Sequence, residues 1–253
     1  MKKVVLFGAP FDGTTTYRPG ARFAPGKIRT EMYGIETYSP YQDRDLADLE
    51  YQDDGDLDFP FGNTARVLDM IERKTSEILT AGKFPLMIGG EHLVTLGAFR
   101  AIYKKYPDVC VVHFDAHTDL RDDYLGEKLS HSTVIRRIFD ITGKDRIQQS
   151  GIRSGTREEF AFAKQHMAKK IEKKRVYLTI DLDVLDPSEF PGTGTPEAGG
   201  WRFNELLDAT KKVFQTCDVV GCDIVELSPS YDLSGISTAL ACKFLREVLL
   251  LIK

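Results

Sequence analysis

Short apolar runs punctuate this chain, separated by longer segments in which apolar residues recur every three or four positions. Residues 4–7, 84–88, 109–114, 147–152, 176–180 and 219–225 form such runs and predict strands. They show little inside/outside alternation, the pattern of strands covered on both faces. Between them, Val67, Leu68, Ile71, Ile78 and Leu79 mark one helix face, and Leu240, Phe244, Val248 and Leu251 mark another near the C-terminus. Strand, helix and strand at this spacing predict an α/β fold with a mainly parallel sheet and helices on both sides. Without repeats, low-complexity tracts or a linker, a single domain over residues 1–253 is the simpler expectation.

Three segments break the rhythm. Residues 8–26 are dense in Gly, Pro and Thr, residues 36–62 mix charges and aromatics without period, and residues 186–200 are rich in Pro and Gly. In open α/β sheets, ligands bind beyond the carboxyl ends of the strands. Acidic clusters sit at just those ends here.

Bulk properties narrow the classes. The 253 residues suffice for one large domain with an ample core. A mixture of 42% hydrophobic and 28% charged residues is that of an ordinary globular protein. A net charge of -4 gives no basic footprint for nucleic acid. No apolar run approaches the roughly 20 residues needed to cross a bilayer, so no membrane partner is expected. The basic start Met1-Lys2-Lys3 leads into an apolar stretch broken at Gly8 and Pro10, which argues against a signal peptide. Cys110, Cys217, Cys222 and Cys242 form no Cys-x-x-Cys pair and suit free thiols in the reducing cytoplasm.

The run ending at Phe114 opens into Asp115-Ala116-His117-Thr118-Asp119, and the run ending at Ile180 into Asp181-Leu182-Asp183. At every second position, these side chains share one side if the strand ends stay extended. A third run opens through Gly89-Gly90 into Glu91-His92. One Asp at a strand end is ordinarily a helix cap, but three such clusters at three strand ends are not explained that way. Of these four carboxylates and two imidazoles in one crevice, the carboxylates would repel one another, raise their pKa values and take up protons. Two divalent cations would neutralise them. A thiolate-free oxygen and nitrogen set suits manganese, with iron, cobalt, nickel or zinc as substitutes.

These segments resemble the three metal motifs of the ureohydrolases, the family of arginase, agmatinase and their relatives. The residues that carry the resemblance are GGEH at 89–92, DAHTD at 115–119 and DLDVLDP at 181–187. It extends, in order, to PFDGTTTYRPGARFAPGKIR near the N-terminus, GIRSGT at 151–156, PGTGTPEAGG at 191–200 and VELSPSYD at 225–232. The resemblance implies a three-layer α/β/α fold, assembled as a homotrimer or homohexamer, and two Mn2+ per chain. It implies that His92, Asp115, Asp119 and Asp181 bind one ion and His117 and Asp183 the second, with Asp115 and Asp181 spanning both. A metal-bridging hydroxide would then attack the guanidino carbon, with Asp119 as partner for its proton. Glu91 stands where many members carry Asp, at a position that is not a ligand.

His131 aligns with a histidine that carries protons in the family; without the resemblance, a lone His after a charged loop is more often a surface residue or cap. Glu226 also ends an apolar run, where a carboxylate can hold a guanidinium bidentately. His131 and Glu226 are thus the expected catalytic and substrate-binding pair. His113 is expected in the core or behind the site, and His166 in solvent. The Ser154-Gly155-Thr156 stretch has no acid to meet an α-amino group, which argues against L-arginine. The expected reaction is cleavage of agmatine, a small guanidino substrate, to putrescine and urea. Guanidinobutyrate, formiminoglutamate or arginine are the alternatives. Asp122, Asp123 or Tyr124 would line the path of agmatine's tail or, equally, form a solvated acidic loop. A non-catalytic regulator would have lost one of these eight positions, and all are present.

Overall fold

The computed structural model describes residues 3–252, so Met1 and Lys2 of the basic start lie outside the described residues. Its strands are β1 (Val4–Ala9), β2 (Tyr38–Ser39), β3 (Arg44–Asp45), β4 (Tyr51–Asp56), β5 (Phe84–Gly89), β6 (Cys110–Phe114), β7 (Ile147–Ser150), β8 (Arg175–Asp181) and β9 (Asp218–Val225). The α-helices are α1 (Ala24–Met32), α2 (Thr64–Thr80), α3 (Val94–Lys105), α4 (Val134–Thr142), α5 (Arg157–His166), α6 (Phe203–Thr216) and α7 (Ile236–Leu251). All six predicted strands are present, with ends moved by two residues or fewer.

Apart from the small β2–β3 hairpin, the strands form one sheet in the order β4-β1-β5-β9-β8-β6-β7. Every pairing in it is parallel. Period-two geometry sends Val4, Leu6, Leu86, Ile88, Leu178 and Ile180 to one face, where α1, α6 and α7 cover them. Val5, Phe7, Met87, Val111 and Tyr177 go to the other, under α2, α3 and α4. Burial on both faces is why these strands read as unbroken apolar runs.

β4 was invisible to that logic. Its sequence YQDDGD is mostly exposed, and it pairs only with β1 at the sheet edge. Charge blunts the edge, where Asp53 and Asp56 pair with Arg29 and Asp54 with Lys74.

The crossover through α3 carries the chain from β5 to β6, over two positions later filled by β8 and β9. The carboxyl ends of β5, β9, β8 and β6 therefore stand side by side at a point where the winding reverses, the position where such sheets take their ligands.

Candidate metal centre

Four strand ends deliver the predicted site residues except His131, which opens the 3-10 turn His131–Thr133 before α4. After β5, Gly90 has no room for a side chain, since a Cβ there would lie 2.0 Å from the Phe11 carbonyl oxygen. The Glu91 N–H donates to that same oxygen at 2.7 Å, so the N-terminal loop runs tightly across this strand end. His92 follows, fully buried.

After β6 the backbone curls instead of staying extended. The Ala116 carbonyl accepts from Arg153 N and Ser154 N at 2.7 and 2.9 Å, and Asp119 sits at φ 51°. After β8 a 3-10 turn, Leu182–Val184, carries Asp183, whose N–H donates to Asp181 Oδ1 at 2.8 Å. The expectation of extended strand ends is thereby corrected: the carboxylates converge because the segments turn. Arg153 holds the second turn, donating to the carbonyls of Asp183, Val184 and Glu197 at 2.8, 3.1 and 2.9 Å. After β9, Glu226 sits at φ 66°. Left-handed conformations at non-glycine residues cost about 1–3 kcal/mol each, and two of them face this one pocket.

His92 Nδ1 lies 3.0 Å from Asp115 Oδ2, 3.2 Å from Asp181 Oδ2 and 3.3 Å from Asp119 Oδ2. It is buried without a hydrogen-bond partner. His117 Nδ1 lies 2.9 Å from Asp183 Oδ2 and 3.4 Å from Asp115 Oδ1. Asp115 thus turns one oxygen toward each imidazole.

The electrostatics are those of a cation site. Burial pushes the Asp181 carboxyl well above its ordinary range, with Asp183 and Asp115 adding to it. Burial and the charge of Asp115 push Asp119 up to about 7. Burial works against charge on Asp115 too, but His113, His117 and His92 outweigh it and hold Asp115 well below its usual value. Burial also opposes charge on His92 and His117, yet the facing carboxylates raise both. Without a cation, protons must substitute for one. Divalent ions at the two foci satisfy the whole set, and its donors, carboxylate oxygen and imidazole nitrogen, suit a hard to borderline metal.

A buried relay holds His92 from behind. Thr179 Oγ1 donates to Asp223 Oδ1 at 2.6 Å, so its lone pair accepts from His92 Nε2 at 2.9 Å. Tyr177 Oη and Thr95 Oγ1 donate to Asp223 Oδ2 at 2.5 and 2.9 Å. The relay keeps a proton on Nε2 and leaves Nδ1 to the carboxylate side, the arrangement metal-binding histidines adopt. His117 is held more loosely, with Nε2 3.8 Å from Glu197 Oε1, which accepts from Ser154 Oγ at 2.8 Å.

His113 lies behind the site, as expected. Its Nε2 donates to Asp115 Oδ2 at 2.8 Å and its Nδ1 accepts from Gln149 Nε2 at 3.1 Å, while burial lowers its pKa. It orients Asp115 and has no nitrogen left for an ion. His166 departs from expectation: it is half-buried against Phe139 and Phe162, with ring centroids at 5.2 and 4.3 Å.

Opposite the carboxylates, Glu226 Oε1 accepts from the His92 N–H at 2.7 Å. Burial pushes this carboxyl well above its usual range, and the Glu91 carboxylate pushes it further. His131 Nδ1 lies 3.8 Å from the same oxygen. Burial, with His117 and His92 nearby, lowers His131 to about 4. Both side chains line a pocket of about 290 Å³ together with His92, His117, Asp119, Asp181 and Asp183. Tyr124 lines it as well. Asp122 instead pairs with Arg137 at 2.8 Å, and exposed Asp123 closes a turn through the Gly126 N–H at 2.9 Å.

Several members of the site escaped the sequence reading. Asp223 was findable, being a carboxylate inside the otherwise apolar run of β9, which calls for partners. Thr179 stands similarly within β8. Glu197 and the threonines of the N-terminal loop gave no such signal, and Glu91 stood out only as a departure from the family pattern.

The arginase family pattern matches residues 2–175 and 165–251. The chain is 50% identical to the agmatinase of Bacillus anthracis, over 98% of this chain and 91% of that one. It is 34% identical to the guanidinobutyrase of Pseudomonas aeruginosa, over 96% of this chain and 84% of that one. A crystal structure from Clostridium difficile superposes with a TM-score of 0.95 at 52% identity, covering 99% of this chain and 97% of the other. Sheet order, convergent carboxylates and these likenesses agree: the chain belongs to the arginase family, as an agmatinase-like amidinohydrolase.

Proposed function

We propose that this chain hydrolyses agmatine to putrescine and urea with two divalent cations, manganese foremost. The observation that carries the proposal is the pair of imidazoles, His92 and His117, each aimed at carboxylate oxygens and joined through Asp115. His92, Asp115, Asp119 and Asp181 would hold one ion, and His117, Asp183, Asp115 and Asp181 the other. When bound, such a pair supplies a water acidic enough to act as a nucleophile near neutral pH.

The chain's own groups supply the remaining chemistry. Glu226, buried and facing the pocket, binds the guanidinium, whose arrival returns the charge that burial disfavours on the carboxyl. The His92 N–H on Oε1 fixes the carboxylate plane and therefore where the guanidino carbon sits. His131, beside Glu226 and half-buried, delivers a proton to the departing amine and exchanges it with water. Asp119, buried where it lines the pocket, would take up a proton during attack.

Ser154-Gly155-Thr156 lines the pocket without an acid, and the neighbouring Glu159 carboxylate already accepts from Thr118, Leu120 and Thr156, which supports a substrate lacking the α-amino acid group. Arg121 favours a second reading. It also lines the pocket, with Nε 3.8 Å from Glu159 Oε2, and its charge would suit the carboxylate of a guanidino acid. Urea release from agmatine, 4-guanidinobutyrate and L-arginine by the manganese-loaded protein separates these. Agmatine is expected to give the highest kcat/KM, with activity abolished by EDTA and by Asp183→Ala. A preference for guanidinobutyrate would move the assignment to the second reading, and turnover of arginine would overturn the reading of the 154–156 segment.

A further inference from the structure

We infer that the N-terminal loop carrying Thr14 and Thr16, fastened by Glu91, is the positioning element for His131. The inference rests on the proton-handling role proposed above for that histidine. Glu91 is fully buried, one residue before a candidate ligand, yet its side-chain carboxylate bonds to this loop. Oε2 accepts from the Thr14 N–H at 2.9 Å and from Thr15 Oγ1 at 3.1 Å, and Oε1 accepts from Thr14 Oγ1. A buried carboxylate is costly to desolvate and persists where hydrogen bonds compensate it. Here the compensation fixes a loop.

What the loop fixes in turn is one residue. Thr14 Oγ1, its proton committed to Glu91, accepts from the His131 backbone N–H at 3.0 Å. The Thr16 N–H donates to His131 Nε2 at 3.2 Å, with Thr16 Oγ1 2.9 Å from the same nitrogen. A neutral imidazole whose Nε2 accepts carries its proton on Nδ1. That nitrogen faces Glu226 Oε1, where the guanidino group is proposed to bind. The loop therefore holds both the backbone and the ring of His131 and selects the tautomer whose Nδ1–H faces the pocket. A proton taken up from water at Nε2 would be met by Thr16 Oγ1 as acceptor, and the imidazolium would then give up its Nδ1 proton and return to the neutral ring.

The loop is itself braced. The buried Asp12 carboxylate accepts from the Gly20 N–H at 2.8 Å and pairs with Arg22, closing the loop upon itself. Gly90 lets Phe11 approach until no side chain fits between them. Glu91, Thr14 and Thr16 would thus act through His131, as positioning residues.

The test is a set of double-mutant cycles in the full-length, manganese-loaded protein, followed by urea release from agmatine. Thr16→Val and Glu91→Gln are made alone and in a His131→Ala background. Each single change is expected to lower kcat roughly tenfold, a part of the ~10²–10⁴-fold that a general acid or base supplies. KM should stay within about twofold, bound metal should be unchanged, and Thr16→Ser should recover most of the rate. In the His131→Ala background neither change should lower kcat further, because residues acting through one group are not additive.

Equal losses in both backgrounds would overturn the inference, as would losses confined to KM, or unchanged kcat in Thr16→Val while His131→Ala is inactive. If His131→Ala itself keeps full kcat, the proposed role of His131 falls and the clamp falls with it. Thr16 is exposed, so its variant carries the test even if Glu91→Gln does not fold.

Discussion

The two halves of the proposed metal centre offer the same donor chemistry but are supported by different parts of the fold. His92 is 1% exposed, and its support is a relay of Thr179, Asp223, Tyr177 and Thr95 inside the sheet and on α3. His117 is 22% exposed, and its support is Glu197 and Ser154 on loops at the rim. In the first half, a lost hydrogen bond leaves a buried polar group with no water to replace it. In the second, water can fill in. The difference teaches that a ligand's sensitivity to its surroundings is set less by its identity than by what stands behind it.

The largest effect should come from the residue the two halves share. Asp115→Ala removes an oxygen from each focus, so metal content measured after dialysis should fall at both. Activity should drop by about a thousandfold or more, since Lewis-acid stabilisation of this kind contributes several kcal/mol. Retention of two ions would contradict the shared geometry.

The next effects separate the halves. Asp223→Asn touches no candidate ligand, yet leaves three buried hydroxyls facing an amide that cannot accept from all of them. It should weaken metal binding by roughly 10–100-fold, the usual range for such supporting partners. Manganese titration of the variant checks this, and wild-type affinity would remove the relay from the account.

Protons compete for the same oxygens, and the sign follows from Asp119. Its folded pKa, about 7, lies above the ordinary carboxylate value, so it gains a proton as pH falls through that point. Metal binding should be strongest above pH 7 and weaken below it, by about tenfold per pH unit for each proton displaced. Titrations at pH 6 and pH 8 that gave equal affinities would refute this. The smallest effect is expected from Glu197→Gln. With Glu197 half-exposed and 3.8 Å from His117 Nε2, the change should weaken binding only about threefold, below the range for buried partners. A loss as large as that of Asp223→Asn would erase the contrast between rim and interior.

How far the sequence spoke for itself follows the same division. Apolar runs exposed β1 and β5 to β9, because strands buried on both faces have no choice of residue. They missed β4, where an edge strand of aspartates carries no apolar signature. The six candidate ligands were legible because their spacing and types repeat at three strand ends. Their local geometry was not, since a left-handed turn at Asp119 and a 3-10 turn at Asp183 depend on tertiary hydrogen bonds such as those of Arg153. Glu91 was seen as a departure of little consequence, and only the structure brings it under Thr14, 77 positions earlier in the chain. Contacts of that separation leave no trace in local pattern.

The central claim is that this pocket is a two-ion centre that hydrolyses a guanidino group. Its most direct test is to strip the protein of metal and titrate manganese back, with bound metal and urea release from agmatine read in the same samples. The account predicts two ions per chain and activity that rises as the sites fill. Full activity in the stripped protein, or saturation at one ion per chain, would contradict it.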